Sequence, residues 1–151
     1  MISQVNVLGV GIHALTMSNT LEQISQWIDA DARQYISMCT VHTVMECQSQ
    51  PAVRQAVNGA GLATPDGMPL VWLTHRLAQQ DVTRVYGPDL MLALCEHAVT
   101  RGYSHYFYGG AEGIAAQLSE TLQARYPGLK VAGSYSPPFH PTVVEIKLSC
   151  D

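Results

Sequence analysis

Short apolar runs alternate with longer amphipathic ones along almost the whole of this chain. That alternation limits what it can fold into more than any single residue does, because it is the pattern of parallel strands covered by helices. Val5-Asn6-Val7-Leu8-Gly9-Val10 reads as a first strand, followed by a helix that Ser18 can cap and whose Leu21, Ile24 and Ile28 share one face. Tyr35 to Val41 reads as a second strand. Thr43-Val44-Met45-Glu46 has the form of a capping box, which predicts a helix starting directly after His42. Pro51 opens a short helix that ends near Asn58-Gly59, Leu62-Ala63 is a third strand, and a helix runs from about Met68 to Gln79. Pro88 to Arg101 reads as helix, Ser104 to Tyr108 as strand, Ala111 to Tyr126 as helix and Leu129 to Ala132 as strand. The expected fold is therefore α/β: a Rossmann-like parallel sheet with helices on both faces.

Composition narrows the function classes without choosing among them. At 151 residues the chain suits one domain, and a net charge of −4 with 13% charged residues supplies no basic stripe for nucleic acid. Met1-Ile2-Ser3-Gln4 does not resemble a signal peptide, and no apolar run approaches the length of a membrane helix, so a cytoplasmic location is expected. Cys39, Cys47, Cys95 and Cys150 lack metal-like spacing and read as reduced, mostly apolar fillers. The histidines show neither H-x-x-x-H nor H-E-x-x-H spacing, and Asp29-Ala30-Asp31 falls at a helix end rather than a strand end, so no metal and no cofactor are expected. Gly9-Val10-Gly11-Ile12-His13-Ala14 fits a dinucleotide fingerprint, but the second strand ends without the acid that would hold a ribose.

The candidate site lies where strands give way to helices. Asp66, in Thr64-Pro65-Asp66-Gly67, stands at such a junction, at the edge where open α/β sheets bind ligands. From local sequence it reads first as a helix cap and otherwise as a rigidly held carboxylate base. Thr40 and His42 end the second strand on the same edge, and alternation would put both side chains on one face. Arg84 precedes a Gly-Pro that opens a helix, where its guanidinium could fork onto a phosphate or form a surface ion pair. Gly109 and Gly110 join a strand to a helix, either to admit a diphosphate to backbone N–H groups or to meet the angles of a tight turn.

Taken in order, Val7-Leu8-Gly9-Val10, Thr40-Val41-His42, Pro65-Asp66-Gly67, Arg84-Val85-Tyr86-Gly87-Pro88-Asp89-Leu90, Tyr106-Phe107-Tyr108-Gly109-Gly110 and Tyr126-Pro127-Gly128-Leu129 form a set that resembles the WecG/TagA/CpsF family of bacterial glycosyltransferases. The chain departs from the family in having His42 where Asn is usual. The resemblance implies a metal-independent enzyme that moves an N-acetylmannosamine-type sugar from a UDP-sugar donor to a lipid-diphosphate-linked acceptor in cell-surface polysaccharide biosynthesis, at the inner face of the membrane. It implies Asp66 as base, Thr40 and His42 as holders of sugar or acceptor, Arg84 facing the diphosphate, and Gly109-Gly110 along the nucleotide. It also leads us to expect a glycosyltransferase domain over residues 1–141 and an atypical, frameshift-like tail over residues 142–151. In the family a further strand and helix with a Pro-Lys-Gln-Glu segment, then a basic appendage that reaches the membrane, would follow, so the resemblance implies a fold incomplete at its C-terminal end. Without them the expectation is weak nucleotide binding, little transfer, no peripheral membrane contact from that segment, and self-association through an unpaired sheet edge. A nucleotide-binding module without catalysis and a nicotinamide-dependent oxidoreductase are the competing readings.

Overall fold

The computed structural model describes residues 2–138, so the tail at residues 142–151 and Cys150 lie outside the described residues. The described chain groups into two units, residues 1–94 and residues from 95 onward, with the division falling inside one helix.

The first unit opens with strands β1 (Gln4–Val7) and β2 (Val10–His13), paired antiparallel with Val7 opposite Val10. This corrects the single strand expected over Val5 to Val10. Leu8 and Gly9 both have positive φ, 52° and 83°, which is the two-residue turn whose twist matches a hairpin, and Asn6 Oδ1 accepts the Gly9 N–H at 2.9 Å. The dinucleotide fingerprint falls with it, because Gly9 sits in a hairpin tip and Gly11 in a strand opposite Asn6. Helix α1 (Met17–Asp29) is capped by Thr16, two residues before the expected Ser18, with Asn19 closing the box reciprocally. Next come β3 (Ile36–Cys39), α2 (Val41–Ser49), α3 (Pro51–Asn58), β4 (Leu62–Pro65) and α4 (Met68–Ala78).

β3 and β4 run parallel, Ile36 opposite Leu62 and Cys39 opposite Pro65, joined by the α2–α3 crossover that such pairing requires. All four residues of β4 are buried, as expected of a strand covered on both faces. Successive residues of β4 enter different clusters. Ala63 packs with Val10, Ile12, Cys39, Val44, Cys47, Val57 and Leu70, which brings α2, α3 and α4 to one face. Leu62 packs with Leu15, Val85 and Leu90, with Leu21, Ile24 and Trp27 of α1 against them, which places α1 and the start of α5 (Gly87–Arg101) on the other. Helices on both faces of parallel strands are thus present.

The second unit holds the end of α5, then β5 (Ser104–Tyr108), α6 (Ile114–Arg125) and β6 (Lys130–Tyr135). β5 and β6 pair parallel from Ser104 opposite Lys130 to Tyr108 opposite Tyr135, with a register shift after His105. Phe107, Ala115, Leu122 and Leu129 are its buried apolar residues beside Cys95 and Ala98, while Tyr106 and Tyr108 stand exposed.

Candidate functional site

In a parallel pair, the residues that follow paired strand ends leave side by side. Cys39 lies opposite Pro65, so Thr40 and Asp66 depart from the carboxyl edge together, and the Asp66 N–H donates to the Cys39 carbonyl at 2.9 Å, extending the ladder by one step. On the other side of β4 the Pro65 carbonyl accepts the Val85 N–H at 3.0 Å, which draws the segment carrying Arg84 to the same edge. Beneath these groups the fully buried Thr64 hydroxyl lies 3.0 Å from Met38 Sδ and 3.4 Å from the Val85 carbonyl oxygen, tying all three segments together. The structure therefore brings Thr40, Asp66 and Arg84 together within the first unit.

The Asp66 carboxylate is not used to start α4. Gly67 is the N-cap, and no side chain caps that helix. The capping reading of Asp66 gives way to a half-buried carboxylate standing one residue ahead of the N-cap of a helix that no side chain caps. Cys39 registers it electrostatically. Burial pushes the Cys39 thiol up, with the charges of Cys47 and Asp66 adding to that and a hydrogen bond to Ser37 opposing it. Cys39, Cys47 and Cys95 are free and buried, and burial raises each of them, so they stay neutral thiols within the packing.

Thr40 and His42 part company. The Thr40 hydroxyl accepts the Thr43 N–H at 3.2 Å while the Thr43 hydroxyl accepts the Thr40 N–H at 3.3 Å, so the box is built on Thr40 and the helix starts at Val41. This corrects the expected strand end at Val41 and the shared face of Thr40 and His42. His42 is the second residue of α2, its side chain 83% exposed and its Nε2 3.8 Å from Glu46 Oε1. The error came from reading Thr43 and Glu46 as the box. A threonine hydroxyl in the third helical position can return the bond as well as a glutamate can.

Arg84 takes the surface pair and adds a stack. Its Nη2 lies 3.7 Å from Asp89 Oδ2, and its Cζ lies 4.6 Å from the centre of the Tyr86 ring. Both members of the pair are well exposed, so a ligand phosphate could replace Asp89 at little cost. Tyr86 was not singled out from sequence, although an aromatic two residues after an Arg in an extended segment is a readable signal.

In the second unit Gly109 and Gly110 have φ of 120° and 76°, and Gly113, the N-cap of α6, has 78°. The turn therefore needs glycine for its backbone, and at Gly109 nothing lies within 4 Å of where a Cβ would be, which leaves open space above it. Ser136 was missed. Its hydroxyl accepts the Ala115 N–H at 3.2 Å and donates to the Gly109 carbonyl at 3.1 Å, so it partly occupies the helix start that a diphosphate would use. Among the described residues no group of three His, Cys, Asp or Glu is placed to hold a metal ion, and no helix is long and apolar enough to cross a membrane.

Parallel strands wrapped by helices, with an acid and a helix start adjoining at the carboxyl edge, define a domain of the Rossmann-like α/β class. The chain belongs to the glycosyl transferase WecG/TagA/CpsF family, whose sequence profile matches residues 5–147. It is similar to the N-acetylglucosaminyldiphosphoundecaprenol N-acetyl-beta-D-mannosaminyltransferase of Bacillus spizizenii, 23% identical over 107 residues, which cover 71% of this chain and 42% of that protein. It is also similar to the enzyme of the same name from Staphylococcus aureus strain NCTC 8325, 24% identical over 132 residues, covering 86% of this chain and 52% of that protein. The chain spans about half the length of these curated relatives.

Proposed function

We propose that residues 1–141 form the substrate-binding domain of a glycosyltransferase that moves an N-acetylmannosamine-type sugar from a UDP-sugar to a lipid-diphosphate-linked sugar, without a divalent ion, at the cytoplasmic face of the membrane. The observation that carries this reading is the adjacency of Asp66 and Thr40 at the carboxyl edge of β3 and β4, in a chain of this family. The names of the two relatives support the sugar and the acceptor class.

The chemistry assigns each group a task. An acceptor hydroxyl oxygen forms a bond to the anomeric carbon while the bond from that carbon to the diphosphate breaks. Asp66 takes the hydroxyl proton, and negative charge collects on the departing UDP. Arg84 moves from Asp89 to that diphosphate, giving up an exposed ion pair worth about 0–1 kcal/mol. The Thr40 hydroxyl accepts the Thr43 N–H and shares a 3.2 Å contact with the Thr43 hydroxyl, in which Thr43 can be the donor and leave the Thr40 O–H for a ligand, and the exposed His42 imidazole at the first turn of α2 offers a second contact to sugar or acceptor. The Gly109-Gly110 turn, open above Gly109, is assigned to the nucleotide.

Titration calorimetry with UDP, a UDP-sugar and NAD, each with and without EDTA, tests this. Binding of UDP that survives EDTA and weakens on Arg84→Ala is expected. A strict magnesium requirement would overturn the metal-free step, and NAD binding in place of UDP would move the chain to a nicotinamide-dependent class.

A further inference from the structure

Away from the edge that carries Asp66, two cavities of about 330 and 300 Å³ meet at Ile2 and Gln23 and form one groove beside α1. The groove reaches Gly61 and Leu62, where β4 begins, so about 13 Å of strand separates it from Asp66. Asn19, Glu22, Gln23 and Gln26 of α1 line the larger cavity with Ser3 and Gln80. At about 100° per residue those four fall within about 100° of arc, so the helix turns one polar stripe to it. His13, Trp27, Gln34 and Gly61 line the smaller cavity. Five amide side chains thus converge from three segments: α1, the loop before β3 and the residues after α4.

The lining rules out most classes of ligand. Neither cavity has a Lys or Arg to meet an anion, and Glu22 is a single carboxylate where a hard cation needs several oxygen ligands. A peptide that adds as a strand needs unpaired backbone, and here it is taken. The Ala14 N–H donates to the Ser3 carbonyl at 2.9 Å, Gln80 Nε2 to the Ala14 carbonyl at 2.6 Å and the Gly61 N–H to the Tyr35 carbonyl at 3.0 Å. Side-chain amides are left, and each carries both donors and an acceptor, which suits hydroxyl groups that also do both. His13 adds a donor: burial lowers its pKa and Nδ1 accepts the Ala63 N–H, so the neutral ring carries its proton on Nε2. Gly61 makes room for an aromatic wall. A Cβ there would lie 2.8 Å from Trp27 Cη2 and 2.7 Å from Gln34 Oε1, so only bare backbone lets the indole and the amide close over it.

We propose that this groove binds a neutral sugar chain, its hydroxyls paired with the amides and Glu22 and one ring set against the half-buried Trp27. It is a second site, since a sugar held there stands a whole strand away from the proposed base. As to purpose, the inference rests on the glycosyltransferase reading: the groove would keep a glycan on the enzyme while the opposite edge transfers sugar.

Fluorescence titration with maltotriose, a neutral chain that is neither sugar nucleotide nor lipid-linked, tests the groove apart from the transferase reading, which UDP calorimetry addresses. In a Trp72→Phe background Trp27 is the sole tryptophan, and maltotriose should shift its emission while inorganic phosphate should not. Glu22→Ala with Gln26→Ala, both at exposed positions, should weaken maltotriose binding by at least about fivefold at unchanged melting temperature and leave UDP affinity as it is. Gln34→Ala, on a separate segment, should cost about twofold. Asp66→Asn should leave maltotriose binding unchanged. No shift of Trp27 emission, binding unaffected by the double substitution, binding lost with Asp66→Asn, or a Gly-Ser-Gly peptide taken up in place of the sugar would each overturn the proposal.

Discussion

The two units each end a parallel strand pair at a helix start, yet they build that junction in opposite ways. At the end of β3 and β4 the backbone is pinned on both sides: the Asp66 N–H holds the Cys39 carbonyl, the Val85 N–H holds the Pro65 carbonyl, and Thr64 sits fully buried beneath them. At the end of β5 the chain passes through Gly109, Gly110 and Gly113, all at positive φ, and one hydroxyl from Ser136 closes the turn. The first junction holds a charged group in a fixed place. The second leaves backbone uncovered, as a surface must be if a nucleotide is to lie along it. A base needs placement to within hydrogen-bond reach of one proton, whereas a diphosphate is bound by several groups and tolerates a softer cradle.

The largest expected effect breaks the comparison on the rigid side. Asp66→Asn removes the carboxylate while keeping its size, and no side chain caps α4, so folding has little to lose. In a protein of the relatives' full length, sugar transfer should fall by about a hundredfold or more, with little change in melting temperature. Retained activity together with a large drop in melting temperature would make Asp66 a structural residue.

Glycine replacement separates the two junctions by backbone alone. Gly109 has φ of 120°, so Gly109→Ala should destabilise the protein by about 1–3 kcal/mol even though the space above it is open. Gly67 has φ of −104° with its nearest neighbour, Pro69 Cδ, at 3.8 Å, so Gly67→Ala should change stability by less than about 1 kcal/mol in either direction. Urea midpoints of the two variants read the contrast directly. Equal losses would mean that the glycines of the second junction are not there for their angles.

Smaller effects are expected from the two hydroxyls that start helices at these edges. Thr40→Ala and Ser136→Ala should each cost about 1 kcal/mol of stability by leaving N–H groups of α2 and α6 unpaired. They should diverge in ligand binding. Removing the Ser136 hydroxyl frees the Ala115 N–H and the Gly109 carbonyl, so UDP binding should hold or tighten, while loss of Thr40 should weaken it. A parallel loss of UDP affinity in both would argue that Ser136 itself contacts the nucleotide.

The alternation of apolar runs carried the α/β class, the two-sided burial of β4 and the placing of Asp66 at a strand end. Those follow from local periodicity and one Pro-Asp-Gly turn. The hairpin at Leu8-Gly9 did not show, because a leucine at positive φ is uncommon and hides a turn that Asn-Gly would have announced. The early start of α2 was hidden by competition between two threonines for one box. The grip of Ser136 on Gly109 joins residues 27 apart in sequence, and nothing local encodes it. Arg84 was placed beside a helix start by its Gly-Pro, but the stack on Tyr86 and the pair with Asp89 depend on how that segment folds against β4.

The smallest effect concerns acid, and it bears on the rigid junction through one of its supports. His13, at the end of β2, accepts the Ala63 N–H on Nδ1 at 2.9 Å, so an imidazole rather than a backbone carbonyl receives that amide of β4. Burial holds its pKa below the ordinary 6.5, which means that the unfolded chain takes up a proton before the folded one does. Stability from this group is therefore complete above pH 6.5 and falls as pH drops from there towards the lower folded value. Protonation also removes the lone pair that accepts the Ala63 N–H, so the strain should appear first in β4, the strand that carries Asp66. His13→Asn offers an amide oxygen in place of Nδ1 and does not titrate, so it should flatten this part of the profile. Melting temperatures of both proteins between pH 7.5 and 5 measure the difference. If the two profiles run parallel, His13 is not the acid-sensitive support of the junction, and its hydrogen bond to Ala63 contributes to the fold without coupling it to pH.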